Sequence, residues 1–541
     1  MQSRHPLAIA GLSLLFLSTT ALAAPQRLLT RHVPNEADAA HFVAALPDTQ
    51  RLRLAITLPL HHEAALDRLL DSVSDPRSPA YRHYLTVAEF TDRYGPTAAE
   101  YAALHRFAAQ HGLDVKADYP NRFVMDVEAP ASAIRAAFGV TLGIYRHSRD
   151  GRLFYAPDRE PTMDIGIPVL HISGLDNAEP PAPHSLAHGV KTHAVQANGS
   201  GPSGNYIASD MRAAYAGNTT LNGSGQIVAL VEFEGYNITD IKNYFTTLDQ
   251  TLSVSIVGIS VDGTKLSCVY PKCDDTEAAI DIEQTIGMAP GLKQVSFYLG
   301  STVIDILNRI ATDNTAAQIS SSYGWPAEPT VEDPVYKEFL AQGQTFVDGS
   351  GDDGSDLPAG GVWPADDQYV TGVGATNLTT KYPGGPWESE SCWADSGGGP
   401  SPDGIAIPRW QKPFVNSQNH GSTTLRNVPD VAMEGAYDNY ACLDLSCSNN
   451  WGGTSFAAPR WAAYTALINQ QAALSKLEPI GTLNRVLYAL SLGPGYGENL
   501  HDITGGNNGG YSCVTGYDLV SGLGSPQPAL IPSLAKGLRF R

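Results

Sequence analysis

The sequence predicts an α/β fold, a parallel sheet flanked by helices over residues 204–541, preceded by a smaller α+β domain. Three observations carry this. At 541 residues the chain is too long for one ordinary hydrophobic core. From about residue 204 onward, apolar runs ending in polar residues or Gly ("QIVALVEF", "KQVSFYLG", "QISSSYG", "GQTFVDGSG") alternate with helical stretches such as "DTEAAIDIEQTIGMA" and "EDPVYKEFLAQ". That order implies parallel strands covered on both faces, with functional residues gathered at the carboxyl ends of strands. Before it, "AALDRLLDSV" and "AAEYAALHRFAAQHG" have the period of amphipathic helices, and "NRFVMDVEA" and "TLGIYRH" alternate like strands.

Residues 1–23 have the pattern of a secretory signal peptide: Arg4 and His5, an apolar run from Leu7 to Leu17, then Ala21-Leu22-Ala23. The apolar run is too short for a membrane span, so the mature protein is expected outside the cell, soluble and monomeric. Residues 24–175 make the cysteine-free α+β domain. Residues 176–203 are rich in Pro, Gly, Ala, Ser and His without periodicity, and read as an exposed linker open to proteolytic nicking.

Composition narrows the function. Hydrophobic content of 43% with 17% charged residues describes a globular chain. Of the net charge of −20, most sits in residues 195–541, which hold 17 Lys and Arg against 35 Asp and Glu. Such a surface repels phosphate backbones, which excludes nucleic acid as the natural partner, and it suits an acidic medium in which carboxylates protonate. Six cysteines in an exported chain suggest disulfides. Cys268 with Cys273 and Cys442 with Cys447 would close short loops, leaving Cys392 with Cys513; zinc-ligand spacing is lacking.

"NNWGGTSFAAPRWAAYTALINQ" places Ser455 after a Gly-Gly-Thr turn at the start of a helix, beside oriented N–H groups, with Pro459 in the first turn. That position suits a nucleophile, although an N-cap serine has the same pattern. A nucleophilic serine needs a base. Beyond residue 194 the only histidines are His420 and His501, both in polar loops. In "EAAIDIE", Glu277 and Asp281 stand four residues apart on one helical face. Two such acids titrate as a pair and hold a carboxylate base at pH values where histidine is already charged; a solvated acidic face is the bland alternative. In "VDGSGDDGSD", Asp352 at a Gly-rich strand end could, when protonated, donate to an oxyanion, or else form a turn or bind calcium.

Together these motifs resemble the sedolisin (serine-carboxyl peptidase) family, of the kumamolisin-like pro-enzyme type. "GGTSFAAP" is similar to its nucleophile motif, "EAAIDIE" to its acid pair, "SGDDG" to its oxyanion motif, "SSSYG" to its substrate-binding strand, and "ESCWADSGGGPS" to a further landmark. The resemblance implies a subtilisin-like catalytic domain, Ser455 as nucleophile, Glu277 as base, Asp281 as its partner and Asp352 at the oxyanion. It implies a calcium ion in "HDITGGNNGG…CVTGYDLVSGLGSP", held by Asp502 and Asp518 with the carbonyls of Ile503, Val514 and Gly516. It also implies that the N-terminal domain is an activation prodomain, inhibitor of its own enzyme and removed by self-cleavage at acid pH, with protein or peptide substrates thereafter. His171, His184, His188 and His193 would gain charge on acidification and loosen that domain. Two rivals stay open on sequence alone: a histidine-dependent subtilisin-type peptidase, and an inert calcium-binding protein on the same scaffold.

Overall fold

A computed structural model describes residues 26–28, 30–39, 41–184 and 198–537. The signal segment 1–23, His188 and His193 lie outside the described residues.

The N-terminal domain is built on a four-stranded antiparallel sheet in the order Asp114–Asp118, Val124–Pro130, Arg51–Thr57, His171–Ser173. Helices Ala98–His111 and Ala131–Phe138 bury Leu104, Phe107, Ile134 and Phe138 in its core with Leu54 and Val127. The first of these helices starts where Thr97 and Glu100 form a reciprocal capping box and stops at Gly112, which takes the left-handed conformation.

The larger domain carries an eight-stranded sheet. Its strands are β1 (Ile227–Glu232), β2 (Ser255–Ser260), β3 (Gln294–Leu299), β4 (Gln318–Ser321), β5 (Thr345–Gly349), β6 (Thr371–Thr380), β7 (Trp387–Cys392) and β8 (Val431–Glu434). They lie in the order β2-β3-β1-β4-β5-β6-β7, with β8 paired in parallel to β6 and only β7 antiparallel to its neighbour. The side chains of β1 show why the run had to be apolar throughout. Val228 and Leu230 enter the core on the face covered by α1 (Thr276–Met288) and α4 (Thr454–Leu474), while Ala229 and Val231 enter the core covered by α2 (Val303–Asp313) and α3 (Pro329–Ala341). This is the predicted parallel sheet between two helical layers.

The N-terminal domain sits on the α2–α3 layer. Leu66, Leu70, Phe90 and Phe123 share one core with Ile304, Ile310, Val335 and Phe339. Burying each such side chain contributes about 1.5–3 kcal/mol, and truncating Phe339 to Ala would cost roughly 3–5 kcal/mol. Some of the buried polar groups at this boundary are paired, while both oxygens of Asp305 are not. Asn121 Nδ2 donates to Asn308 Oδ1 at 2.7 Å and to Glu338 Oε2 at 2.9 Å, and Arg53 Nη2 reaches Asp126 at 2.7 Å. Further along, Arg82 donates to the carbonyls of Leu534 and Ala535 at the end of the last helix, and Tyr84 donates to Pro479 O at 3.1 Å.

Two expectations are corrected. The 176–203 segment is not wholly an exposed linker: Ala182–Pro183 forms a short strand against Tyr323–Gly324, and His184 is buried. Pro459 lies beyond the first turn of α4, which starts at Thr454, so its missing N–H leaves the carbonyl of Ser455 without its i+4 donor. All six cysteines form the disulfides Cys268–Cys273, Cys392–Cys513 and Cys442–Cys447. Among the described residues no helix is long and apolar enough to cross a membrane.

Candidate active site

The site is assembled where β1, β4 and β5 end and α1 and α4 begin. Gly452 and Gly453 bring the chain to the start of α4. A Cβ at 452 would meet the Ala436 backbone at 2.7 Å, and Gly453 has φ 152°, so both positions demand glycine. Thr454 then opens the helix and Ser455 follows, fully buried, in the first turn, where N–H groups have no intrahelical partner.

Asp352 ties this turn to the loop after β5. Its Oδ1 accepts from Thr454 N at 2.8 Å and Thr454 Oγ1 at 2.9 Å, and Thr454 Oγ1 in turn accepts from Gly351 N at 3.2 Å. Burial, opposed by these hydrogen bonds, pushes the Asp352 carboxyl up to about 7, so it carries a proton in acid.

Glu277 and Asp281 lie in the first two turns of α1, both buried. Their helix packs directly on α4, and Arg460 locks the two together: its guanidinium donates to Gln284 Oε1 at 2.7 and 3.0 Å and to Glu434 Oε2 at 2.5 Å. Asp281 Oδ1 accepts from Ser322 Oγ at 2.7 Å. Burial first, then the neighbouring Glu277 charge, raises Asp281 well above the usual carboxylate range. The negative charge of Glu277 adds to the rise at Asp352.

Sequence reasoning missed Glu232. It closes β1, is fully buried, and is raised well above the usual range by burial and then by Asp281 and Glu277. A charged residue ending a buried apolar strand, in "VALVEFEG", was the available signal. Asp348 was missed in the same way, and His184, expected as a linker histidine that gains charge in acid, also lies here, with its Nε2 3.5 Å from Asp348 Oδ2. The two late histidines lie elsewhere: His420 is exposed, and His501 stacks on Trp387 with ring centroids 3.8 Å apart.

The C-terminal loop brings Asp502 and Asp518 around one tyrosine, Tyr496, whose hydroxyl feels both charges. Asp502 accepts from Gly516 N at 2.9 and 3.1 Å, and Asp518 accepts from the N–H groups of Val514, Val520 and Ser521. Burial raises both carboxyls, Asp518 to about 7. Ile503 is buried beside the Cys392–Cys513 bridge. Two charge-penalised carboxyls in a glycine-rich loop fit a hard divalent cation, which would offset that penalty.

Comparison with known proteins accords with this architecture. Residues 38–178 match the pro-kumamolisin activation domain. The chain is 30% identical over 530 residues to kumamolisin of Bacillus sp. (strain MN-32), covering 91% of this chain and 94% of that protein. It is 26% identical to sedolisin of Pseudomonas sp. (strain 101), covering 91% and 88% of the two chains. Among solved structures, Pseudomonas sedolisin, a serine-carboxyl proteinase complexed with pseudo-iodotyrostatin, superposes with a TM-score of 0.53 at 25% identity, covering 62% of this chain and 98% of its own. The chain therefore belongs to the sedolisin family of serine-carboxyl peptidases and is a pro-enzyme carrying a kumamolisin-type activation domain.

Proposed function

We propose that the protein is a secreted, acid-active endopeptidase that cuts its own prodomain away and then hydrolyses protein or peptide substrates through Ser455, Glu277, Asp281 and Asp352. The observation that carries this reading is the Asp352–Thr454 tie: it sets a proton-bearing acid beside the residue preceding Ser455, within the field of Glu277.

Glu277 takes the Ser455 hydroxyl proton as Oγ attacks a peptide carbonyl carbon. Asp281 and Glu232, both raised by burial and by neighbouring carboxylate charge, stand beside Glu277 as its acidic partners. Protonated Asp352 and backbone N–H groups at the start of α4 stabilise the oxyanion. Glu277 then gives its proton to the leaving amine, and a water molecule hydrolyses the acyl-enzyme along the reverse path. In the zymogen the chain at 182–183 lies antiparallel to Tyr323–Gly324, which supports the prodomain as occupant and inhibitor of the cleft. This segment continues N-terminally into a folded domain, which favours endopeptidase action, although dog tripeptidyl-peptidase 1 is 30% identical over 238 residues.

A structural calcium ion held by Asp502 and Asp518 with carbonyls of Ile503, Val514 and Gly516 would supply charge neutralisation and stiffen the C-terminal loop. The pattern of residues 1–23 supports export.

Acidification of purified full-length protein tests the reading. The wild type should convert to a shorter band, Ser455→Ala should persist intact, and kcat/KM should peak below neutrality. A rate that peaks at or above neutral pH would instead indicate a histidine base and overturn the proposal.

A further inference from the structure

Two walls of the cleft are fastened from behind by one carboxyl. The first wall is residues 322–324, along which Ala182 pairs with Gly324, Pro183 pairs with Tyr323, and His184 N donates to Ser322 O at 2.9 Å. This stretch has left the main sheet: among the described residues its strand partner is Ala182–Pro183 alone. Whenever the cleft empties, the sheet no longer fixes its position. The second wall is the loop at Gly361. A Cβ at Gly324 would lie 2.9 Å from Gly361 O, and one at Gly351, the residue before Asp352, would lie 3.6 Å from the same oxygen. That loop therefore lies against both the backbone-pairing strand and the Asp352 turn.

A tryptophan follows each wall, Trp325 the first and Trp363 the second, and Trp325 N donates to Trp363 O at 3.2 Å. Both indoles are buried, and both donate to Glu332 in the first turn of α3. Trp325 Nε1 stands 3.1 Å from each Glu332 oxygen, Trp363 Nε1 donates to Oε2, and the Tyr336 hydroxyl, one turn along α3, donates to Oε2 at 2.9 Å. An indole N–H can only donate, so losing this acceptor would leave three buried donors without a partner. The arrangement also survives acid. Burial, and then the Glu328 charge, raises the Glu332 carboxyl to about 8, so it carries a proton in acid. Oε2 takes all three donors while Oε1 shares only Trp325, so a proton on Oε1 leaves every bond in place.

Resting on the reading of the cleft given above, we propose that Glu332 is a positioning residue for substrate binding: by holding Trp325 and Trp363 together it keeps residues 322–324 and the Gly361 loop at the separation that receives a substrate backbone. It acts through the two tryptophans and has no part in the chemical step. Its contribution is to pre-align a strand that the main sheet does not hold, which lowers the ordering cost of each binding event.

The experiment measures KM and kcat of acid-activated wild type, Glu332→Leu and Glu332→Gln on a long peptide that spans the cleft, and on an acyl ester too short to lie along residues 322–324. Glu332→Leu should raise KM for the peptide by about tenfold or more while kcat stays within roughly threefold, and it should cut the ester like the wild type, a pattern that general misfolding would not give. Glu332→Gln has a carbonyl oxygen for the three donors and an NH2 where the acid proton sits, so it should stay within roughly twofold of the wild type in both constants. An unchanged KM in Glu332→Leu, equal losses on peptide and ester, or a Glu332→Gln as impaired as Glu332→Leu would overturn the positioning role while leaving the peptidase reading standing. Failure of the wild type to cut either substrate would overturn both. If Glu332→Leu fails to fold, Trp363→Phe decides: it keeps an aromatic ring without the N–H, and a peptide KM unchanged from the wild type would overturn the proposal.

Discussion

Two of the buried carboxyl clusters among the described residues both gain protons in acid, with different consequences. The first, Glu232, Asp281 and Glu277, lies wholly within the larger domain, on β1 and α1. The second straddles the boundary between domains: Asp126 with Arg53 from the prodomain side meets Asp305 of α2, and Asn121 meets Glu338 of α3. Burial raises Asp305 well above its ordinary range and Glu338 to about 7. An acid raised in the docked state binds more protons docked than free, so these groups favour docking below their raised values and weaken it as pH rises through them. The carboxyl boundary therefore does not eject the prodomain in acid. Only histidine burial works in that direction. His171, stacked on His32 with centroids 4.2 Å apart, is held well below its ordinary value by burial and then by His32. A depressed histidine contributes stability above its free value near 6.5 and loses it as pH falls below that value. Under the proposed function, acid would activate the site cluster while the carboxyl boundary holds, which would make the linker cut the committing step.

The comparison can be broken most sharply at the site. Glu232→Gln keeps shape but removes one titrating group; it should lower kcat by roughly tenfold or more and shift the acid limb of the kcat profile, with little change in KM. Asp352→Asn retains an oxyanion donor that does not ionise. The wild type should lose activity as pH rises through about 7, where Asp352 gives up its proton, and the variant should keep a flatter alkaline limb at reduced rate, read from a pH–rate profile. The smallest effect belongs to the interface. In a Ser455→Ala background, Asp305→Asn should stabilise the zymogen at pH 8 by on the order of 1 kcal/mol and have no effect at pH 4, read by thermal unfolding. Equal effects at both pH values would refute a raised Asp305 carboxyl at the docked boundary.

Much of this was legible in residue order. Strands in apolar runs and helices with 3.6-residue periodicity announce themselves, and Ser455, Glu277, Asp281 and Asp352 each stand in a short motif whose spacing has a physical reason. Glu232, Asp348 and His184 do not, because each acquires its meaning from neighbours far away in sequence. Glu232 looks like a strand-end charge until α1 folds over it. His184 looks like one more linker histidine until Tyr323–Gly324 takes Ala182–Pro183 as an extra strand. Pro459 falls outside the first turn because the helix already opens at Thr454, five residues before it.

Arg82 donates to Leu534 and Ala535, more than four hundred residues later in the chain, and Leu85 N donates to Ala341 O at 2.8 Å. Such a clasp closes head onto tail. It forms only once the ribosome has released nearly the whole polypeptide, so a prematurely terminated product lacks the last fastening of its own restraint. In the proposed maturation those carbonyls would pass to water, and the last described helix would lose the guanidinium at its C-terminus.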